Sequence, residues 1–251
     1  MNPKFSPAWF ATFGRPDPAT TAREVDFLAR VLPRPPASVL DVPCGFGRHA
    51  HALSLRGYQV TGVERDPAVA AEARAAGLAV HELDLRCLDE LTGTFDAVIC
   101  MWASFGWFDD ETNGEVFAAM AAKTADMLVL DIYNQAFFRT HQGRGENRGV
   151  REDRHVEHNR LRTTLDYPDG SRDSFEWRLY EPDELEALGR PVGLRLDLVC
   201  ADFSEKPPTS ETPRTQLVFR RDTQARCENQ QPASSSRKTQ AFWPDSSTRS
   251  K

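Results

Sequence analysis

The feature that most constrains this chain is a glycine turn between a short apolar run and a helix-like segment. The stretch V-L-D-V-P-C-G-F-G-R-H-A, Val39–Ala50, predicts a strand that ends near Asp41, a turn with Gly45 and Gly47, and then a helix. Glycine lets such a turn adopt left-handed conformations and bring its backbone close to a ligand. Starting at Gly45 the turn reads G-x-G-x-x-A, close to the dinucleotide fingerprint, but that fingerprint does not require the acid at Asp41.

The residues around this turn predict alternating strands and helices. Strand-like apolar runs begin near positions 38, 59, 79, 95 and 127, and helical signals lie between them. Asp66 and Pro67, for example, are typical of an N-cap followed by proline at the first helical position, and Gly77 is typical of a helix end. Such alternation favours a mostly parallel sheet with helices on both faces.

The pattern changes after Asn134. Residues 135–162 are charged and rich in arginine, and the segment that follows predicts a hairpin that turns at Pro168–Gly170. A short helix and two strands complete the pattern. We therefore predict an α/β fold with a Rossmann-like, doubly wound sheet. The sheet is mostly parallel with an antiparallel C-terminal strand, and a small antiparallel β insertion accompanies it.

The same signals divide the chain into parts. We predict an N-terminal segment and helix over 1–37, where the spacing at Thr21–Glu24 is that of a capping box. The main domain is predicted over 38–221, with a substrate-side insertion or lid at about 135–190. Residues 222–251 are polar and almost without aliphatic side chains, which predicts a disordered tail.

Composition excludes some classes of protein. The 251 residues suit one sizeable α/β domain, and the net charge of −6 disfavours a nucleic-acid binder. Five cysteines without a C-x-x-C pair favour reduced thiols. The sequence has neither a signal-peptide pattern nor an apolar run long enough for a membrane span, so we expect a cytoplasmic protein.

Acidic residues stand at the ends of the predicted strands, where ligands of parallel sheets bind. They suit an adenosine that carries an amino-acid tail. Glu64, about 17 residues after Gly47, is placed to accept both ribose hydroxyls. Asp84 can accept from an adenine amino group, and Asp41 can lie near the ligand's ammonium. A dinucleotide site needs neither of the last two.

These residues carry a family resemblance. The glycine-turn stretch, followed by V-T-G-V-E-R-D-P, H-E-L-D-L and F-D-A-V-I-C-M-W-A-S-F-G-W-F, resembles the class I S-adenosylmethionine-dependent methyltransferases, in their small-molecule branch. The similarity covers about 38–221 and is firmest up to 134. It implies S-adenosylmethionine as cofactor and in-line methyl transfer to a nitrogen or oxygen of a small molecule. Pro43, where the family usually carries glycine, and Lys123–Asp126, in place of a K-P-G-G-like turn, depart from the pattern.

The predicted site follows from these strand ends. Trp102 joins it because a sulfonium cation is well matched to an aromatic face. Tyr133 and Asn134, after the fifth strand, are predicted to orient the acceptor, and Trp9 and Phe10 to close the pocket. No metal site is predicted. The predicted cofactor-binding residues are Asp41, Gly45, Phe46, Gly47, Glu64, Asp84, Leu85, Met101 and Trp102.

Other functions stay open at this point. The G-x-G-x-x-A turn with Glu64 also suits an NAD(P)-linked oxidoreductase, although no recognisable hydride-transfer pair accompanies it. A third possibility is a cofactor-binding protein without turnover. After the fourth strand the chain has C-M-W-A-S-F rather than an N-P-P-Y-like turn, which disfavours a nucleic-acid substrate. The sequence assigns neither the acceptor, nor nitrogen against oxygen, nor an oligomeric state.

Overall fold

Eleven strands and seven α-helices form within residues 5–222, the part of the chain that the computed structural model describes. The strands are β1 (Ser38–Asp41), β2 (Gln59–Glu64), β3 (Ala79–Glu82), β4 (Phe95–Cys100), β5 (Thr124–Tyr133), β6 (Gly143–Asn147), β7 (Val150–Glu157), β8 (Arg160–Asp166), β9 (Arg172–Arg178), β10 (Leu194–Ala201) and β11 (Arg214–Arg221). The α-helices are α1 (Pro7–Thr12), α2 (Pro18–Val31), α3 (Arg48–Ser54), α4 (Pro67–Ala75), α5 (Asp110–Lys123), α6 (Gln135–Thr140) and α7 (Pro182–Gly189). Short 3₁₀ turns cover Leu85–Glu90 and Arg190–Val192.

The central sheet has seven strands in the order β10-β11-β5-β4-β1-β2-β3. Neighbouring strands from β3 to β5 pair in parallel, whereas β11 is antiparallel to both β5 and β10. This arrangement confirms the predicted Rossmann-like sheet with an antiparallel C-terminal strand. It brings the carboxyl ends of β1, β2, β4 and β5 to one edge.

The two faces of the sheet pack into two hydrophobic clusters. Leu40 and Val98, partners in register, face the cluster that α5 covers with Phe117. Val39 and Ile99 face the opposite cluster, which α2 and α3 cover. Successive strand residues point to opposite faces, so unbroken apolar runs are required where helices cover both sides.

The insertion is larger than the predicted hairpin. Strands β6, β7, β8 and β9 form a four-stranded antiparallel sheet in sequence order, and β8 and β9 join at the predicted Pro168–Gly170 turn. The sequence analysis missed β6 and β7. On β7 the inward positions include Glu152 and Arg154 rather than aliphatic side chains alone, so no apolar alternation marks the strand.

The N-terminal helix begins earlier than predicted. Asp17 caps α2 by accepting from the backbone N–H of Ala19 at 2.9 Å, with Pro18 at the first helical position. The capping box at Thr21–Glu24 is therefore wrong. Glu24 is instead buried within α2, where it contacts Arg48 and His49.

Two further points concern the limits of the chain. The predicted disordered tail lies outside the described residues from position 223 onward. Within the described residues, no helix combines the length and the apolar character needed to cross a membrane.

Candidate functional site

The carboxyl ends of the parallel strands open into a cavity of about 1080 Å³. This is the edge at which open parallel sheets bind their ligands. Its walls come from the glycine turn, the strand ends, α1 and the inner face of the insertion sheet. Predicted site residues that line it are Gly45, Phe46, Glu64, Asp84, Leu85, Met101, Trp102 and Tyr133.

The two glycines of the turn have different roles. Both have positive φ angles, +56° at Gly45 and +78° at Gly47. A Cβ built on Gly47 would lie 2.1 Å from Cδ1 of Leu78, so this glycine is required by packing, and it does not line the cavity. A Cβ on Gly45 would meet no atom within 4 Å. The backbone of Gly45 is therefore the part of the turn that a ligand can approach, and the prediction of a direct contact at Gly47 is not supported.

Glu64 connects the turn to the next helix. Its Oε2 accepts from the backbone N–H of Gly45 at 3.1 Å, and its Oε1 accepts from that of Asp66 at 2.9 Å. The residue is 9% exposed, and burial raises its pKa. Since a carboxylate oxygen has two lone pairs, each oxygen retains capacity for a ligand hydroxyl.

Asp41 and Arg48 carry buried polar atoms without partners. Asp41 is fully buried and does not line the cavity; neither carboxylate oxygen has a hydrogen bond of good geometry, although the backbone N–H of Ala50 is near enough to lower its pKa, and burial raises that pKa to about 7. The charge of Arg48 is near enough to oppose that rise. Arg48 lines the cavity, and one of its guanidinium nitrogens, Nη2, is also buried without a partner. Unpaired buried groups of this kind are rare, and this pair suits a ligand that carries both charges.

A second guanidinium nitrogen of Arg48, Nη1, is bound by two side chains of α2. Nη1 donates to Glu24 and, at 3.1 Å, to the hydroxyl of Thr21. His49 also contacts Glu24, with 2.8 Å between Nε2 and Oε2, and burial lowers the pKa of His49 to about 4. Glu24 thus fixes the first turn of α3 through Arg48 and His49, which both line the cavity.

Asp84, which lines the cavity, is already paired with Arg86. Its Oδ1 caps the 3₁₀ turn by accepting from the backbone N–H of Arg86 at 2.9 Å. The guanidinium of Arg86 donates to both of its carboxylate oxygens, at 2.9 and 3.1 Å. Any ligand amino group at Asp84 would therefore share this carboxylate with Arg86.

Trp102 is held in an uncommon conformation by an acid that the sequence analysis did not place in the site. Trp102 and Ala103 have φ angles of +63° and +54°, a region that non-glycine residues seldom adopt. The buried Asp131 accepts from the backbone N–H of Trp102 at 2.9 Å and also binds Arg214 and Gln216. Arg214 lines the cavity, and burial lowers its pKa to about 9. The signal for Asp131 was an acid within an otherwise apolar strand.

Helix α1 lies over the glycine turn. The ring centroids of Phe10 and Phe46 are 5.8 Å apart, and those of Trp9 and Trp102 are 5.7 Å apart. Trp9 and Phe10 line the cavity, as expected from the sequence. On its other side, the N-cap residue Ser6 donates to Asp173 of the insertion sheet at 2.6 Å. Helix α1 therefore bridges the two sheets across the cavity.

The two residues that were predicted to orient the acceptor differ in position, because only one of them lines the cavity. Tyr133 lines the cavity, and burial raises its pKa to about 12, so its phenol stays neutral at physiological pH. Asn134 does not line it. The Asn134 side chain caps α6 at Ala136 and donates to the carbonyls of Thr209 and Thr212 at 2.7 and 2.8 Å. These contacts use the Asn134 amide to hold a loop, and its role in orienting an acceptor stays a prediction.

Two further observations complete the site. Within residues 5–222, no group of three or more histidine, cysteine or acidic side chains is placed to hold a metal ion. The insertion sheet supplies a second wall that the sequence analysis did not identify. Its cavity-lining residues are Glu152, Arg154, Leu161, Thr163, Leu165, Phe175 and Trp177.

The strand order, the glycine turn after β1 and the acids after β2 and β3 together define the class I methyltransferase fold. Residues 39–126, about a third of the chain, match the family described as the methyltransferase domain. The match to this methyltransferase domain covers the glycine turn, Glu64 and Asp84.

Two curated relatives are similar over parts of the chain. A glycine/sarcosine/dimethylglycine N-methyltransferase from Actinopolyspora halophila is 26% identical over 200 residues, which are 71% of this chain and 35% of that protein. A ubiquinone biosynthesis O-methyltransferase from Xylella fastidiosa is 32% identical over 106 residues, 39% of this chain and 43% of that protein. The chain thus spans less than half the length of either relative.

Solved structures agree on the fold. A sugar N-methyltransferase from a Streptoalloteichus species superposes with a TM-score of 0.67 at 23% identity, over 88% of this chain and 94% of that one. The CcbJ methyltransferase from Streptomyces caelestis gives 0.70 at 17% identity, over 85% and 95%. These likenesses cover most of the chain and show the fold.

Proposed function

We propose that this protein transfers the methyl group of S-adenosylmethionine to a nitrogen or oxygen atom of a small molecule. The observation that carries the proposal is the incomplete hydrogen bonding of two buried groups, the carboxylate of Asp41 and Nη2 of Arg48, together with the open face of Gly45 in the cavity that Arg48 also lines. The amino-acid end of the cofactor has one ammonium and one carboxylate, which are the two charges that this pair lacks. A nicotinamide dinucleotide has no such end.

The remaining strand ends suit the rest of the cofactor. Glu64 retains acceptor capacity for two ribose hydroxyls, and Asp84 and Leu85 flank the place for the adenine. Trp102 lines the cavity, and its aromatic ring, over which the guanidinium of Arg48 lies at 5.4 Å from the centroid, is suited to a cation such as a sulfonium. The cofactor supplies an electrophilic methyl group, so the chain itself needs chiefly to align the partners and to limit access of water.

The acceptor side is supported by Tyr133 and the insertion sheet. The neutral phenol of Tyr133 can donate a hydrogen bond to orient an acceptor, but it does not serve as a base at neutral pH. The relatives are named as a glycine/sarcosine/dimethylglycine N-methyltransferase, a ubiquinone biosynthesis O-methyltransferase and a sugar N-methyltransferase. These names support a small-molecule acceptor.

Calorimetric titration tests the cofactor. We expect S-adenosylhomocysteine to bind the wild type, with NAD and NADP showing no heat of binding. Glu64→Gln keeps one oxygen acceptor but loses the charge, and it should weaken binding about tenfold or more. Glu82→Gln is the matched control, since Glu82 is the partner of Glu64 in register on β3, is half-exposed and does not line the cavity.

Either of two results would refute the proposal. Binding of NAD or NADP that depends on Glu64 would favour the oxidoreductase. Tight binding of S-adenosylhomocysteine, with no methyl transfer to any member of a broad acceptor panel, would favour a cofactor-binding protein without turnover.

A further inference from the structure

The half of the cavity beneath the insertion sheet differs in character from the cofactor half. Its inward-facing positions alternate along β7, β8 and β9, and most of them are apolar or aromatic. The polar exceptions are Thr163, the pair Glu152 and Arg154, and Asp173, whose carboxylate is engaged by Ser6 and Tyr167 and does not line the cavity. Several of these wall residues belong to a hydrophobic cluster that is separate from the two clusters of the central sheet.

Aromatic rings form a continuous wall around this half. The Trp177 ring lies 4.2 Å from that of Trp107 and 5.1 Å from that of Tyr133, measured between centroids. Phe5 connects Trp107 to Trp9, and Trp9 reaches Trp102 beside the cofactor half. The negative faces of such rings attract cations, particularly where water is scarce.

Glu152 places a carboxylate in this aromatic wall. The residue is 7% exposed, lines the cavity and forms an ion pair with Arg154. The guanidinium of Arg154 in turn lies 5.8 Å from the ring centroid of Phe138. Removing a carboxylate from water carries a large free-energy penalty that one partner offsets only in part, so a cationic group of a ligand at this wall would stabilise Glu152 further.

The charge that develops during methyl transfer distinguishes the possible acceptors. When a neutral amine attacks the methyl carbon, positive charge moves from sulfur to the acceptor nitrogen, and an aromatic wall with a carboxylate stabilises that nitrogen. A hydroxyl acceptor instead needs a base to remove its proton.

Apart from Glu152, whose carboxylate is already engaged by Arg154, no described residue on the acceptor side suits the role of that base. Tyr133 there is a neutral phenol. Among the described residues, the histidines lining the cavity are His49 and His51, which both lie on α3 beside the glycine turn. His49, moreover, already has its Nε2 at Glu24.

We propose that the acceptor is an amine on a largely apolar body, and that Glu152 is the residue that binds the amino group. The inference rests on the proposed function and specifies its substrate class. The amine enters after loss of its proton to solvent, and its lone pair forms the new N–C bond. The electrons of the C–S bond go to sulfur, which leaves S-adenosylhomocysteine and an N-methylated ammonium ion beside Glu152.

Matched amines and alcohols on the same skeleton test this substrate class. The probes are 2-phenylethylamine with 2-phenylethanol, and cyclohexylamine with cyclohexanol. Their binding is measured by calorimetry on the protein saturated with S-adenosylhomocysteine, and their turnover by release of that product from S-adenosylmethionine. We expect the amines to bind and to be methylated, and their alcohol counterparts to do neither.

Variants of β7 test the residue. Glu152→Gln should raise the Kd and KM for amines about tenfold or more while the affinity for S-adenosylhomocysteine is unchanged. Glu152→Asp, which keeps the charge, should restore part of the loss, and this separates a binding role from a purely structural one. Glu157→Gln is the matched control, because Glu157 lies on the same strand with an 82% exposed side chain outside the cavity.

The outcomes separate the two proposals. If S-adenosylhomocysteine does not bind the wild type, the proposed function itself fails. If it binds and the alcohols are methylated in preference to the amines, or no amine is methylated, or Glu152→Gln handles amines like the wild type, the amine acceptor is refuted while the cofactor assignment stands.

Discussion

Glu64 accepts a hydrogen bond from the backbone N–H of Gly45 at 3.1 Å, so the acid that we propose for the ribose also fixes the glycine turn. Through its second oxygen it holds Asp66, the N-cap of α4. One side chain thus links the ends of β1 and β2 to the helix that follows. Ligand recognition and local rigidity at this edge are coupled through Glu64.

The two glycines of the turn should respond differently to alanine. Gly47→Ala forces a Cβ against Leu78, and we expect it to lower the free energy of unfolding by about 2 kcal/mol or more. Gly45→Ala has room for the methyl group and should lose only about 1 kcal/mol to its positive φ, yet it should abolish binding because the methyl group enters the cavity. Urea unfolding and titration with S-adenosylhomocysteine measure the two effects.

Gly77→Ala is the control for backbone strain alone. Gly77 has a φ of +87°, no atom near its Cβ position and no part in the cavity wall. It should lose stability as Gly45→Ala does and keep full binding. Unimpaired binding by Gly45→Ala would contradict the role of this turn.

The affinity for S-adenosylhomocysteine should rise with pH through Asp41. Burial raises the pKa of this carboxyl from 3.8 to about 7, with Arg48 opposing and Glu64 adding to the shift. In the free protein the folded state therefore retains a proton that the unfolded state has lost, so stability falls as the pH rises from about 4 to 7. A ligand ammonium favours the ionised form of Asp41. Binding should therefore strengthen as the pH rises toward about 7, where the carboxyl of the free protein ionises.

Asp41→Asn should flatten both dependences. Adenosine, which has no ammonium group, should show the same pH dependence in the wild type and in Asp41→Asn, and it serves as the ligand control. Calorimetry in buffers of different ionisation enthalpy would detect the proton released on binding. A wild-type affinity that does not change with pH would argue against the ammonium contact at Asp41.

Asp131 should be among the least replaceable residues of the site. Its carboxylate pairs with Arg214 and supports the backbone at Trp102. Asp131→Ala leaves the Arg214 charge buried without its partner, and we expect a loss of about 3–5 kcal/mol in unfolding free energy. Asp131→Ala combined with Arg214→Leu should recover part of that loss. Equal destabilisation by the single and double variants would show that the pair is not the cause.

The contact between α1 and the insertion sheet should govern how fast ligand leaves. Asp173 accepts from Ser6 at 2.6 Å and from the hydroxyl of Tyr167 at 2.8 Å. Ser6→Ala removes the contact with α1, and dissociation of S-adenosylhomocysteine should become several-fold faster with little change in Tm. Ser171→Ala, in the exposed β8–β9 turn, is the control. Stopped-flow tryptophan fluorescence follows the release, and an unchanged rate in Ser6→Ala would refute a role for this contact.

Most of the central sheet could be predicted because its signals are local. Asp66 and Pro67 start α4 as expected, since capping depends on neighbouring residues in the chain. The apolar runs of β1, β4 and β5 follow from burial on both faces. Acids at strand ends could be placed at one edge because parallel strands bring their carboxyl ends together.

What escaped prediction depends on contacts between distant residues. Gly47 resembles a ligand-contacting glycine until Leu78, from another loop, is seen beside it. Asn134 follows a strand end as an acceptor-orienting residue would, but a loop some 75 residues later uses its amide. Strand β7 carries its ion pair inward, and no rule of alternation identifies a strand whose buried face is charged.

The separate hydrophobic cluster beneath the insertion sheet has an evolutionary consequence. Substitutions on the inner faces of β7, β8 and β9 can reshape one wall of the cavity without disturbing the clusters that support the glycine turn and Glu64. Under the proposed function, substitutions in this one sheet could therefore change the acceptor during evolution. The residues proposed to bind the methyl donor would stay the same.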